Sequence, residues 1–295
     1  MKDVITVGLD GTPEALSAAL WAAREADLRK VRLRLLHAWV MLASEPAPHT
    51  ADEPPPTDVK DRNYWPHRFL DDARAAILER HPDLPVDQEL VAEDAFKALQ
   101  DAAEQSDLLV LGSRDLGPVS RYTLGEIGLK VVAHVATPTV LVRARQNAAA
   151  TAPEGDVVVG VSLHEPCDAM LDFAFASAER HGSVLRAVHG RHLPAHAYNR
   201  GGGVEPYVVE EVTKDAQGEL GDALALWREK YPDVRVDERV EPVSPAQALL
   251  RDAEGAGLLV VGRRHKRHLL APRIGHMVQA AVHHAPCPVA VIPHE

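Results

Sequence analysis

The chain repeats itself at a nearly constant interval, and this repeat constrains the fold more than any other feature of the sequence. The segment LLVLGSR at residues 108–114 recurs as LLVVGRR at 258–264, 150 residues later. Three further residues recur at the same interval, namely Gly125, His134 and Pro138 as Gly275, His284 and Pro288. Near the start of each copy the interval is 152, since Val7, Gly8 and His37 recur as Val159, Gly160 and His189. An interval that slips by so little over a whole domain indicates a tandem duplication.

Each copy alternates short apolar runs with stretches of helical periodicity. Residues 4–9 form an apolar run typical of a strand that is buried on both faces, and Thr12 and Pro13 then supply a helix cap and a first-turn proline. The Pro-rich stretch 41–60 is predicted to lack regular structure. The remaining pattern predicts strands at 33–40, 86–91, 107–111 and 139–142, and helices at about 62–80, 95–105 and 123–135. Strict alternation of strands and helices implies a parallel, Rossmann-like sheet with helices on both faces.

The repeat also predicts the domain organisation. We expect one domain at residues 1–145 and a second at 156–295, joined by a linker at 146–155 that has no strand or helix pattern. A chain of 295 residues suits about two domains, and its 46% hydrophobic and 25% charged residues are typical of globular cores.

Composition bears on location, partners and cofactors. The chain has 32 basic and 43 acidic residues, a formal net charge of -11, and such an acidic surface repels a nucleic-acid backbone. No apolar run reaches the roughly 20 residues that span a bilayer, and no signal-peptide pattern is present, so a cytoplasmic protein without membrane contact is expected. The spacing of the histidines at 181–196 matches no common zinc pattern, so no metal is predicted. Cys167 and Cys287 are interpreted as buried apolar residues.

A glycine-flanked loop between the fourth strand and its helix is the first candidate for chemistry. Gly112 begins this loop and Gly125 ends it. Glycines at both ends of a strand-to-helix loop let backbone N–H groups approach an anion, and the helix N-terminus favours negative charge. The loop lacks the P-loop pattern, and on its residues alone it suits either an anion site or a tight turn.

The element order, the start VGLDGT at 7–12 and this loop resemble the universal stress protein family, whose nucleotide-binding members carry G-x-x-G-x9-G-[ST]. The resemblance covers nearly the whole chain twice. It implies two tandem five-stranded domains of the adenine-nucleotide α-hydrolase-like class, each with strand order 3-2-1-4-5. It also implies a non-catalytic role in the stress response. The nucleotide-binding candidates that it assigns to the first copy are Gly8, Asp10, Ala38, Gly112, Arg114, Gly125, Glu126 and Ile127.

The chain departs from the family motif in both copies. In the first, Asp115 replaces the second glycine and Glu126 replaces the final Ser/Thr. Two carboxylates are therefore expected near the phosphate position, where they would repel a bound phosphate. In the second, Ser162 stands at the position of the family's Asp, and His265 and His276 replace the other motif residues. The weaker candidates of the second copy are Gly262, Arg264 and Gly275. We therefore expect ATP or another adenine nucleotide to bind weakly, and only in the first copy.

The implied strand order leaves the fifth strand of each copy at an apolar edge, near 139–142 and 289–292. Such edges invite pairing with another strand. We expect the two copies to cover each other's fifth strand, so that one chain imitates a dimer. A homodimer of the whole chain and an unidentified protein partner stay open.

Two further interpretations stay open. An enzyme of the adenine-nucleotide α/β superfamily, a nucleotide-dependent transferase or hydrolase, would need a Ser/Gly-rich pyrophosphate loop after the first strand, and LDGTP at 9–13 contains none. The basic stretch GRRHKRH at 262–268 suits either contact with an anion or acidic partner, or a solvated loop.

Overall fold

The computed structural model describes residues 2–39, 64–113, 126–143, 155–165, 167–193, 197, 204–264 and 274–294, and the side chains at 64–66 and 126 lie outside that description. The first half contains β1 (Val4–Gly8), α1 (Pro13–Arg29), β2 (Arg32–Ala38), α2 (Tyr64–Leu78), β3 (Val86–Val91), α3 (Ala95–Glu104), β4 (Leu108–Ser113), α4 (Glu126–His134) and β5 (Thr139–Arg143). The second contains β6 (Val157–Gly160), α5 (Asp168–His181), β7 (Leu185–Gly190), α6 (Pro206–Lys230), β8 (Val236–Glu241), α7 (Pro245–Asp252), β9 (Leu258–Arg264), α8 (His276–His284) and β10 (Val289–His294). The Pro-rich stretch 41–60 and most of the predicted linker fall outside the described residues.

The described strands form one continuous sheet of ten, in the order β3-β2-β1-β4-β5-β10-β9-β6-β7-β8. Within each half the pairs are parallel and follow the order 3-2-1-4-5, which confirms the predicted fold class. The two predicted sheets therefore merge into one. No helix in the described ranges is both long and apolar enough to cross a bilayer.

The two halves join through their fifth strands, as predicted. β5 and β10 run antiparallel, with Val140 opposite Ala290 and Leu141 opposite Val289. This pairing hides both apolar edges. The outer edges of the combined sheet are β3 and β8, whose sequences VDQELV and VDERVE are rich in charge. Charged edge strands discourage further pairing, so the sheet ends there.

Helices cover both faces of the sheet, and each layer is shared by the two halves. One apolar cluster unites residues of α1, α2, α5 and α6, and a second unites residues of α3, α4, α7 and α8. The helix α1 begins at the predicted cap, where the Thr12 hydroxyl accepts the Ala15 N–H at 3.2 Å. Its buried face is made largely of alanine, which lets the helix lie close to the sheet (Ala15, Ala18, Ala19, Ala22, Ala23 and Ala26).

A buried ionic cluster lies where α1 of the first half meets α5 of the second. Glu25 is only 2% exposed, and its carboxylate contacts Arg29 at 2.6 Å and His181 Nε2 at 2.9 Å. The Nε of Arg180 lies 3.6 Å from the same carboxylate. Burial raises the pKa of Glu25, but the hydrogen bond with His181 and the charges of Arg29 and Arg180 outweigh it and lower the pKa to about 2.

On the face of the sheet opposite the Glu25 cluster, two arginines form hydrogen bonds between the halves, each with a helix of the other half. Arg263 of β9 is buried, and its guanidinium donates to the carbonyl oxygens of Ala133 (3.3 Å) and Val135 at the end of α4. Arg143 of β5 donates to the Val282 carbonyl in the last turn of α8 at 3.0 Å. Cations at helix C-termini complement the partial negative charge there, so these contacts orient the halves.

We expect the Glu25 cluster to stabilise the native chain above about pH 4.5 and to lose this contribution as the pH falls through about 2, because the pKa of Glu25 is depressed by folding. The contribution is on the order of 3 kcal/mol at neutral pH. Urea unfolding of Glu25→Gln should therefore show its largest loss of unfolding free energy near pH 6, and the gap should narrow toward pH 3.

The matched control is Glu104→Gln, which removes an exposed helical carboxylate. This variant should follow the parent protein within about 0.5 kcal/mol. If the unfolding free energies of the parent and of Glu25→Gln changed in parallel with pH, the lowered pKa of Glu25 would be contradicted.

Candidate functional site

Four of the predicted first-half residues lie at one edge of the sheet. Gly8 ends β1, Ala38 ends β2, Gly112 lies near the end of β4, and Asp10 follows β1 by two residues. The carboxyl ends of parallel strands share an edge, and this is where open α/β sheets bind ligands. Ile127 is on α4 and is 45% exposed. Arg114, Asp115 and Gly125 lie outside the described residues, as does the side chain of Glu126.

Asp10 takes part in the start of α1. Its Oδ1 accepts hydrogen bonds from the backbone N–H of Thr12 at 3.0 Å and from the Thr12 hydroxyl. The residue is exposed, so its carboxylate stands at the sheet edge in an orientation fixed by the turn. The predicted ligand residue therefore also has a local structural role.

The motif glycines have different reasons to be glycine. A Cβ at Gly112 would lie 2.7 Å from the backbone of Glu14 and Ala15, because the end of β4 packs directly on the start of α1. A Cβ at Gly262 would lie 3.0 Å from the ring of His294. Gly275 has open space around its Cα and is the N-cap of α8. Close packing thus accounts for Gly112 but not for Gly275.

The second half contains a cavity of about 350 Å³ at the carboxyl ends of β6 and β7. It is lined by residues 160–164, which end β6 and follow it, by residues 188–192 at the end of β7, and by Glu219, Pro245 and Met277 on α6, α7 and α8. The candidates Gly262, Arg264 and Gly275 are not among the lining residues. Arg264 instead pairs with the carboxylate of Glu165.

Four lining residues are the duplicates of first-half candidates. At the repeat intervals, Gly160, Ser162, Gly190 and Met277 correspond to Gly8, Asp10, Ala38 and Ile127. These four positions therefore converge on one cavity in the second half. The sequence reasoning noted Ser162 as the counterpart of the family's Asp but missed Gly160, Gly190 and Met277, because it compared the rest of the second copy only with the glycine motif. Shifting the whole candidate set by the repeat interval would have found them.

Both halves hold a histidine in the same way beside this edge. His37 Nδ1 lies 2.7 Å from the Leu9 carbonyl oxygen, and His189 Nδ1 lies 2.9 Å from the Val161 carbonyl oxygen. A carbonyl only accepts, so Nδ1 carries a proton in each ring, and Nε2 of the neutral ring is an acceptor. His189 is one of the residues that line the cavity.

One loose ion pair stands at the cavity rim. Arg191 Nη1 lies 3.7 Å from Glu219 Oε1, and the two side chains are 39% and 50% exposed. Within the described residues, no group of three His, Cys, Asp or Glu side chains is arranged to hold a metal ion. Cys167 and Cys287 are both buried, as predicted, and burial raises the pKa of the Cys167 thiol.

Comparison with known proteins identifies the family. The family model described as "Universal stress protein family" matches residues 1–143 and again 155–293. The chain belongs to the universal stress protein family.

Full-length relatives support this tandem form. A universal stress protein of Mycolicibacterium smegmatis is 28% identical, over 98% of this chain and 96% of that protein. A universal stress protein of Mycobacterium tuberculosis is 27% identical, over 97% of this chain and 95% of that protein. Among solved structures, a universal stress protein from Archaeoglobus fulgidus covers 100% of both chains with a TM-score of 0.60 and 14% identity, which supports the fold.

The two halves of this universal stress protein differ in charge at the carboxyl ends of their strands, which point to opposite edges of the sheet because β5 and β10 pair antiparallel. The first half places Asp10 at a position where the second half has Ser162, and Trp39 where the second has Arg191. The expected preference of a nucleotide for the first half rests on Asp10. The described residues do not test this preference, because the loop at 114–125 lies outside them, whereas the described cavity lies in the second half.

We expect Gly112→Ala to destabilise the protein by about 1–3 kcal/mol, because the added methyl group would overlap the backbone of α1. Gly275→Ala, at a motif position with open space and an ordinary φ of -73°, should cost less than about 1 kcal/mol, the loss expected when alanine replaces glycine at an N-cap. Urea unfolding measures both. Equal losses would show that the packing of β4 on α1 is not the reason for Gly112.

Proposed function

We propose that the chain is a non-catalytic stress-response protein that binds an adenine nucleotide at the carboxyl edge of its sheet. The observation that carries the proposal is the cavity in the second half. It is lined by the duplicates of four positions that the family resemblance assigns to nucleotide binding. Its volume of about 350 Å³ lies near the lower end of the range for small-molecule pockets, which suits a ligand of nucleoside size.

The chemistry of the lining suits the two ends of such a ligand. Leu163 and Met277 are half-buried lining residues that offer apolar surface to a heteroaromatic ring. The Nδ1–H of His189 is directed to the Val161 carbonyl, which leaves Nε2 as a hydrogen-bond acceptor. Ligand pockets combine a mostly apolar lining with a few polar groups that fix orientation. The cavity has this mixture.

The short connections after β1 and β6 support a non-catalytic role. α1 begins at Pro13, five residues beyond the end of β1, and its N-cap Thr12 is already committed to the helix. In the second half, residues 161–167 join β6 to α5. Neither segment contains the Ser/Gly-rich pyrophosphate loop that an enzyme of the wider superfamily would need.

The first half is the second candidate location. Asp10 is exposed there and oriented by Thr12, and the family resemblance assigns it a contact with the nucleotide. The carboxylates of Asp115 and Glu126 argue for weak phosphate binding in that half.

The test uses the full-length chain. Mass spectrometry after denaturation should detect an adenine nucleotide that copurifies with the protein, and titration calorimetry should measure its affinity. Ser162→Trp places a large side chain at the exposed rim of the cavity and should weaken binding by about tenfold or more, equivalent to ~1.4 kcal/mol. Asp10→Asn keeps the shape of the first-half turn and should change the affinity by less than about twofold.

If Asp10→Asn weakened nucleotide binding more than Ser162→Trp, the site would lie in the first half. Failure of AMP and ATP to bind the parent protein would refute nucleotide binding altogether. The parent protein should release inorganic phosphate from ATP no faster than the buffer blank. If it released phosphate faster, and Ser162→Trp abolished that release, the non-catalytic role would be contradicted.

A further inference from the structure

Met277 brings a sulfur atom to the second-half cavity. Among the described residues that line this cavity it is the one that contains sulfur, and its side chain is half-buried. Of the four methionines in the chain, Met1 and Met41 lie outside the described residues. Met170 is only 3% exposed and belongs to the apolar cluster of α1, α2, α5 and α6. Of the two described methionines, Met277 is therefore the one that is partly exposed and lines the cavity.

The thioether of Met277 stands in apolar surroundings at the end of β6. Its Cε lies 3.8 Å from the position that a Cβ of Gly160 would take, and the two δ-carbons of Leu249 lie 3.2 and 3.4 Å from that same position. The backbone N–H of Val161, the residue after Gly160, already donates to the Val188 carbonyl at 2.9 Å. An oxygen atom added to this sulfur would therefore meet apolar carbon, and the neighbouring N–H is not free to bind it.

The cavity gives small polar molecules a route to this sulfur. Ser162, His164, His192 and Glu219 are lining residues that are exposed, so the cavity opens to solvent. Its volume of about 350 Å³ is far larger than the ~30 Å³ that one water molecule occupies in the liquid. Hydrogen peroxide, a molecule little larger than water, therefore fits inside it.

Hydrogen peroxide converts a thioether to a sulfoxide in one step. One peroxide oxygen bonds to the sulfur as the O–O bond breaks, and the sulfur loses two electrons. The other oxygen takes up the proton of the transferred oxygen and leaves as water. The product is a polar, chiral side chain. A polar oxygen that packs against apolar groups without a hydrogen-bond partner costs free energy, so the oxidised side chain is a poorer surface for an apolar ring.

The cysteines compete poorly for the same oxidant. Cys167 and Cys287 are both buried, and neither is among the residues that line the cavity. The thiolate is the reactive form of cysteine, and burial raises the pKa of the Cys167 thiol, which disfavours that form. A thioether has no such requirement, because it does not titrate.

The duplicate position in the first half has no sulfur. At the repeat interval of 150, Met277 corresponds to Ile127, a hydrocarbon side chain that is 45% exposed and that peroxide does not oxidise. Met277→Ile therefore gives the second half the residue of the first. It removes the sulfur and keeps an apolar side chain of similar volume.

We propose that Met277 is a peroxide-sensitive residue of the second-half cavity, and that its oxidation to methionine sulfoxide weakens ligand binding there. The inference rests on the proposed function for the ligand and adds an oxidative control of the same site. Methionine sulfoxide reductases reverse this oxidation, so the control is reversible.

Peptide mapping by mass spectrometry, on full-length protein treated with hydrogen peroxide, locates the oxidation. Met277 should gain one oxygen at least about tenfold faster than Met170, because susceptibility follows exposure. Saturating AMP should slow the oxidation of Met277 and leave that of Met170 unchanged. Equal rates for the two methionines, or a rate at Met277 that bound AMP does not lower, would overturn the proposal.

Titration calorimetry with AMP, before and after peroxide treatment, measures the effect on binding. The Kd of the parent protein should rise about tenfold or more when Met277 is oxidised. For Met277→Ile, whatever its own starting affinity, peroxide should change the Kd by less than about twofold. Met170→Leu is the matched control, since it removes the buried methionine and keeps Met277, and it should lose affinity as the parent does.

The outcomes separate this inference from the proposed function. If peroxide weakens AMP binding to Met277→Ile as much as to the parent, another residue is responsible and the assignment of Met277 is wrong. If the parent keeps its affinity for AMP after mapping shows that Met277 is oxidised, the inference fails while nucleotide binding stands. If the untreated parent does not bind AMP, the proposed function and this inference both fail.

Discussion

The antiparallel pairing of β5 with β10 is the contact on which the rest of the structure depends. Each half alone would expose an apolar fifth strand, and an unpaired edge of that kind is prone to association with other chains. Joining the edges within one chain removes the hazard in both halves and makes one sheet of two. The helices of both halves then cover a common surface, which is why each apolar cluster contains residues from the two copies.

Polar groups at the junction orient the halves relative to each other. Glu25 contacts residues of α5, and Arg263 contacts carbonyl oxygens of α4, so each face of the sheet carries a contact between the copies. Buried charges cost solvation free energy and are weak evidence for stability on their own. Here these groups fix the orientation of the two halves. A buried carboxylate or guanidinium that loses its hydrogen-bond partners costs free energy, whereas apolar side chains can shift against each other at less cost.

The duplicated scaffold has been retained where packing constrains it and has diverged where it does not. His37 and His189 make the same hydrogen bond in the two halves, and Gly112 is held by the close approach of α1. Asp10 and Ser162 are exposed, and Trp39 and Arg191 are half-buried and belong to neither apolar cluster. The differences at these positions therefore disturb no core. Two copies of one fold can thereby present edges of different charge.

By itself, the sequence determined the duplication, the alternation of strands and helices, the family with its strand order, and the pairing of the fifth strands. The duplication and the alternation follow from local periodicity and from the repeat along the chain. The strand order, and with it the exposed fifth strands, followed from the resemblance to the family. Only the tertiary structure decided that Ser162, Gly190 and Met277 line one cavity, and that Glu219 of α6 stands opposite Arg191. Sequence spacing could not reveal this, because these residues lie on separate elements whose distances are set by how the helices pack on the sheet.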